Sequence, residues 1–161
     1  MSLLTVAALL AGGCTADIRV TPEARDSRVS ISENPPSRLH EVIFGTGEYV
    51  DWKSAPGFED RQPAEGPHGH QVRIYLNEDA ERALTGDAYV WPDGSMIIKE
   101  IIVDGEVQGL TGMEKLASGW YWGEWNDESV ALSEGLRLEP CMRCHAEGTD
   151  GTLAVRLKRA K

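Results

Sequence analysis

The chain has 161 residues, enough for one domain with a sizeable core and, at most, a tail besides it. Its formal charge of −10 argues against binding nucleic acid, which needs a basic surface, and suits small neutral or cationic partners. A hydrophobic share of 41% is ordinary, but five tryptophans against two phenylalanines mark an aromatic-lined interior or pocket.

Residues 1–14, MSLLTVAALLAGGC, form an apolar run closed by small residues and a cysteine. The run is too short to span a bilayer and reads as an export leader. Its end resembles a bacterial lipoprotein signal with Cys14 as the acylated residue, although no basic residue opens it and Ala11 stands where leucine is usual. A plain cleaved leader is the alternative. Either one places the mature protein outside the cytoplasm, in the periplasm, free or held by a lipid anchor at Cys14. Residues 15–38 are polar, carry Pro22, Pro35 and Pro36, and read as a tether, which leaves 39–161 as the domain.

Within that domain a short apolar piece at 41–44 is followed by loops containing glycine and proline through Pro67. Residues 70–76, HQVRIYL, alternate and predict a strand. Asn77 can cap a short helix running to about Leu84, with Gly86 as its stop. Trp91-Pro-Asp-Gly94 is a turn, and an isoleucine-rich strand follows it. Asp104-Gly105 is a strong hairpin signal that returns the chain through 106–110, and 119–125 predicts one more, aromatic strand. The expected class is α+β, a mostly antiparallel sheet with short helices.

The strand SMIIKEIIV poses a problem of its own. Side chains alternate along a strand, so Lys99 shares a face with Ile97, Ile101 and Val103, while Glu100 shares the other with Met96, Ile98 and Ile102. Both faces are apolar, as in a strand covered on two sides. Desolvating an ammonium group there costs on the order of several kcal/mol unless it is paired or neutralised. Lys99 snorkelling to an edge or pairing with a carboxylate is the ordinary solution.

Near the C-terminus stands Cys141-Met-Arg-Cys144-His145, the C-x-x-C-H spacing that attaches c-type haem. Two thiols one helical turn apart reach the two vinyl groups on one edge of the porphyrin, and the adjacent histidine swings under the ring as proximal iron ligand. A redox dithiol, a structural disulfide or half a zinc site are the competing readings. The βαβ setting of a redox pair is missing, and the other histidines lie far upstream of any zinc spacing.

A haem motif near the end of a strand-rich chain, taken with pieces in matching order from His68 to Arg156, resembles the cytochrome P-460 family. The pieces are His68-Gly69, Tyr75-Leu-Asn77, Pro92-Asp-Gly94 ahead of Lys99-Glu100, Met113-Glu-Lys115, the Trp120 strand, and the haem motif followed by Asp150. The resemblance implies a β-rich homodimer with one haem c on Cys141 and Cys144, His145 as proximal ligand and an open distal site. It implies oxidation of hydroxylamine, a small nitrogenous substrate, to nitrous oxide or nitrite, with electrons passing to an external acceptor. It also places Lys99 where the family's lysine is bonded through its side-chain nitrogen to a haem meso carbon. A buried lysine favours the amine, its nucleophilic form.

Other candidates are weaker. His68 and His70 share the face of Val72 and Ile74, as distal proton donors or as buried neutral histidines. Arg73 and Tyr75 fall on the opposite face, as surface or second-layer residues. Glu134 and Glu139 precede the haem motif, where the resemblance implies a carboxylate needed for hydroxylamine turnover; Glu139 is carried as the catalytic candidate, with solvated surface glutamates as the default. Lys115 is expected at the surface without a role. Two functions compete with hydroxylamine oxidation: a non-enzymatic gas-binding protein of the cytochrome c-prime-beta kind, taking nitric oxide or carbon monoxide, and an electron carrier with a second axial ligand such as Met113.

Overall fold

Alternating apolar residues along 71–76 and 96–103 leave each strand two faces to bury, and the chain satisfies both. The computed structural model describes residues 37–64, 68 and 71–157. The leader with Cys14, nearly all of the expected tether, and His70 lie outside the described residues. Of the tether, Ser37 and Arg38 already belong to the fold, because Ser37 Oγ (2.8 Å) and the Arg38 N–H (2.7 Å) donate to the buried Glu114 carboxylate.

Among the described residues the strands are β1 (Lys53–Ser54), β2 (Gln62–Pro63), β3 (Gln71–Leu76), β4 (Met96–Val103), β5 (Glu106–Leu116), β6 (Gly119–Asn126) and β7 (Ala131–Leu136). They form one antiparallel sheet in the order β1-β3-β4-β5-β6-β7, with β2 sharing the outer edge of β3. Two helices, α1 (Glu78–Thr85) and α2 (Glu139–His145), and short helical turns at Glu41–Gly45 and Glu48–Asp51 complete the set. The class is α+β, mostly antiparallel sheet, as the pattern predicts. No helix among the described residues is long and apolar enough to cross a membrane.

One face of the sheet packs Ile74, Leu76, Ile97, Met113, Trp120 and Trp122 against α1 and the segment carrying Val155 and Leu157. The other packs Tyr75, Met96, Ile98, Leu110 and Trp125 under Leu39, Val42, Ile43 and Tyr49. The apolar piece at 41–44 is therefore a helical turn that caps this second layer, since it buries Val42 and Ile43 together.

The turns explain the order of the sheet. Asp104 and Gly105 both take positive φ (50° and 93°), the requirement of a type I′ turn whose twist matches paired strands. Asn77 does more than cap α1: its Oδ1 accepts from Ala80 N (3.0 Å) and Met96 N (2.9 Å), while Nδ2 donates to Gly94 O (2.8 Å). It thereby locks the end of β3, the start of α1 and the start of β4 together. Gly86 ends α1 for a different reason than a left-handed stop: its φ is −85°, and a Cβ there would lie 2.9 Å from the Arg82 carbonyl oxygen.

A β-bulge interrupts the β4–β5 ladder. Ile102 faces Val107, whereas Ile101 faces Gly109, so Gln108 is the extra residue. Beyond it β5 runs on to Leu116, six residues past the return at 106–110 that the hairpin signal marks. Strand β7 carries no sequence signal of its own, because most of its residues are exposed and need not alternate.

Candidate functional site

Strand pairing puts the chemistry in a row. Ile74, Lys99, Thr111, Glu124 and Ser133 are successive cross-strand partners on β3, β4, β5, β6 and β7, so their side chains share one face. The adjacent row is Leu76, Ile97, Met113 and Trp122. Helix α2, with Pro140 in its first turn, lays Cys141 and His145 over this face, and His68 and residues 152–155 close it. The result is a cleft of about 630 Å³, partly open to solvent, lined by Lys99, Glu124, Cys141 and His145 between apolar walls from Ile74, Ile97, Met113, Trp122 and Val155. Cys144 lines an adjoining cavity that also reaches Lys99, His68 and His145. Cys141 and Cys144 are free thiols on consecutive turns of α2.

His145 is held by two neighbours. Its Nδ1 lies 2.9 Å from the Gly151 carbonyl oxygen. A carbonyl can only accept, so Nδ1 carries the proton and the Nε2 lone pair is left free to act as a ligand. The Trp122 ring meets the imidazole edge-on at 4.7 Å between centroids. Burial pushes the His145 pKa down, opposed by the Gly151 hydrogen bond and reinforced by the Lys99 charge.

Burial also lowers the pKa of Lys99, with Glu124 acting in the opposite direction. No hydrogen bond or ion pair joins Lys99 to another described residue, so among these residues a direct carboxylate pair is not how the strand accommodates it. His68 is pushed down to about 4, first by burial and then by the nearby Lys99 and His145 charges. Its Nδ1 sits 3.9 Å from Glu124 Oε1, beyond hydrogen-bond reach, and has no other partner among the described residues. At neutral pH His68 is therefore an uncharged imidazole next to a carboxylate.

The cleft thus gathers Lys99, Cys141, His145 and His68, with Cys144 on the adjoining cavity. It does not gather the two glutamates ahead of the haem motif. Glu139 is an exposed side chain paired with Arg143 along α2 at 3.8 Å. Glu134 pairs across the strands with Gly123, on the face away from Lys99. The carboxylate that does line the cleft is Glu124, whose signal lay in the period-two alternation Trp120, Trp122, Glu124 along β6.

On the opposite face Arg73 and Tyr75 are second-layer residues, one of the two readings expected of them: Arg73 Nε donates to Glu100 Oε2 at 2.8 Å, and the Tyr49 and Tyr75 hydroxyls reach the same carboxylate at 3.3 and 3.4 Å. Glu100, 4% exposed, is the buried charge of this strand that has its partners. Lys115 is likewise no free surface cation, because its Nζ lies 2.9 Å from both carboxylate oxygens of Asp150 and 5.1 Å from the Trp120 ring centre. Among the described residues no three His, Cys, Asp or Glu side chains converge as a set of metal ligands, so a protein-only zinc site has no support here. Compared with known proteins, the chain matches no family model and no curated sequence.

Proposed function

We propose that this chain is an exported mono-haem cytochrome of the cytochrome P-460 kind, oxidising hydroxylamine at a haem c attached through Cys141 and Cys144. The observation that carries the reading is a convergence. The Cys141 thiol, the His145 imidazole and Lys99, which has no hydrogen bond or ion pair among the described residues, line one largely apolar cleft, and the Cys144 thiol, one helical turn on, lines the cavity that adjoins it. The cleft suits a porphyrin on its own terms: its walls are apolar, and the buried Trp122 Nε1 and His68 Nδ1 lack partners among the described residues.

When bound, the haem supplies an iron centre that accepts electrons from the substrate nitrogen and passes them to an external acceptor. The chain supplies the rest. Each thiol adds across a vinyl group, its hydrogen going to the neighbouring carbon. His145 offers Nε2 as the ligand, oriented by Gly151 and Trp122. Lys99, whose pKa burial lowers, would bond through Nζ to the ring edge. That N–C bond would replace one N–H and one ring C–H, a two-electron oxidation that needs an oxidant of the peroxide class. On the substrate side His68 can accept a hydrogen bond at Nδ1, and Glu124, half-exposed beside it, can carry protons to solvent.

A second reading has a specific observation behind it. Glu134 and Glu139 stand outside the cleft and its walls are apolar, which favours a small uncharged gas over turnover of a polar substrate. One experiment separates the readings: the absorption spectrum and intact mass of the purified protein, with a tryptic haem-peptide map. Hydroxylamine chemistry calls for one haem in covalent linkage, a red-shifted Soret band on reduction, and a Lys99 peptide joined to that of Cys141 and Cys144. A haem peptide without Lys99, with rapid carbon monoxide binding, makes the gas-binding reading the better one. Two unmodified thiols by mass remove both.

A further inference from the structure

The loop after α2 is built with unusual care for a segment without regular structure. Asp150 and Gly151 both adopt positive φ (46° and 80°). The Asp150 carboxylate accepts from Lys115 Nζ through both oxygens and from the Trp91 backbone N–H at 2.9 Å. Its backbone carbonyl accepts from Trp120 Nε1 at 2.7 Å, and Trp91 Nε1 donates to Thr152 Oγ1 at 3.1 Å. Residues 150–152 are thus tied to β5, to β6 and to the turn before β4. Toward His145 this construction presents the Gly151 carbonyl, which accepts a hydrogen bond from Nδ1 at 2.9 Å.

We infer that Lys115 and Asp150 are a positioning pair whose task is to hold the Gly151 carbonyl against His145 and so fix the tautomer and ligand strength of its imidazole. The inference rests on the proposed function, in which Nε2 is the iron ligand. A bound Nδ1–H raises the basicity of Nε2 and tightens its bond to a metal. A left-handed pair of residues holds such a carbonyl only if something outweighs its conformational cost, and a half-buried bidentate ion pair, 15% and 21% exposed, meets that need. The pair joins residues 35 apart in sequence.

The test uses the holoprotein and the variants Asp150→Asn and Lys115→Met, with Lys115→Arg as the conservative control. In ferrous protein with unchanged covalent haem by mass, both disruptive variants should lower the iron–histidine stretching frequency and shift the midpoint potential upward. Lys115→Arg should restore both toward wild type. In parallel, nitrogen-15 NMR of His145 should show a strongly hydrogen-bonded Nδ1–H in haem-loaded wild type and a weakened one in Asp150→Asn, and in any protein isolated without haem the Nδ1–H tautomer in wild type against a mixture in Asp150→Asn. Variants that merely melt at lower temperature, with the stretch, potential and tautomer all unmoved, overturn the positioning role. Wild-type protein without haem would sink the functional reading, while the tautomer comparison still decides the pair.

Discussion

At the scale of single residues, neighbouring Lys99 and Glu100 show two ways to bury a charge. Arg73, Tyr49 and Tyr75 converge on Glu100; Lys99 has no such partner among the described residues, and burial lowers its pKa. Lys99→Leu should therefore preserve the fold and both thioether bonds, since leucine suits the apolar walls that Ile74 and Ile97 give the cleft. It should abolish the red-shifted reduced Soret band and hydroxylamine oxidation while nitric oxide binding persists; a spectrum identical to wild type would contradict the cross-link. The Glu100 cluster gives a prediction in pH. Burial, then the Glu100 charge, raises the Tyr49 pKa well above its ordinary value of 10, and Tyr75 moves the same way. The folded state holds these protons more tightly than the unfolded state, so their contribution is intact below about pH 10 and is lost as pH rises beyond it. Urea unfolding between pH 8 and 11 should show Tyr49→Phe losing stability less steeply than wild type, after an initial cost of about 1 kcal/mol for the missing hydrogen bond. Parallel curves would remove Tyr49 as the source.

At the scale of elements, β5 and β6 meet through a glycine pair, Gly112 opposite Gly123. On that face the Trp125 indole lies across the sheet, and a Cβ on Gly123 would come within 1.9 Å of it. Trp125 is 1% exposed and has little room to shift, so Gly123→Ala should cost about 2–4 kcal/mol by displacing it. Denaturant titration checks this, and a loss under 1 kcal/mol would show the indole to be movable. These elements also show what could be read in advance. Strands β3, β4 and β6 announce themselves by alternation, α1 by its Asn77 cap, and the hairpin by Asp104-Gly105. Strand β7 did not, because its exposed residues obey no pattern. Cys141, Cys144, His145 and Lys99 were legible because motif and misplaced charge are local signals. Glu124 and the Lys115–Asp150 pair were not, because which carboxylate meets which cation depends on pairing between distant strands.

At the scale of the whole molecule, the cleft draws on β3 through β7, α2 and the 150–157 segment, so haem attachment and folding are coupled events in the proposed function. The apolar leader and a motif matured outside the cytoplasm point to one compartment for both. Protein lacking residues 1–13 should accumulate in the cytoplasm colourless, with two free thiols by mass at Cys141 and Cys144. Normal covalent haem content in that protein would break the link between export and loading. Fatty-acid labelling of wild type against Cys14→Ser tells a lipid anchor from a plain leader.

The bulge at Gln108 gives the site a phase. From the turn to Val107 the ladder runs in one register, and from Gly109 onward in another. Had the first register continued, Lys99 would face Leu110, and Thr111 and Met113 would share their side of the sheet with Ile98 and Met96. Every β5 side chain from Gly109 onward would have changed sides relative to β4. One supernumerary residue, distant from the cleft, thus decides that the cleft has a β5 wall of threonine and methionine at all. Drawing Gln108 into the ladder opposite Ile101 would be a frameshift written in three dimensions, with each residue in place along the chain and the wrong half of the strand presented to the cleft.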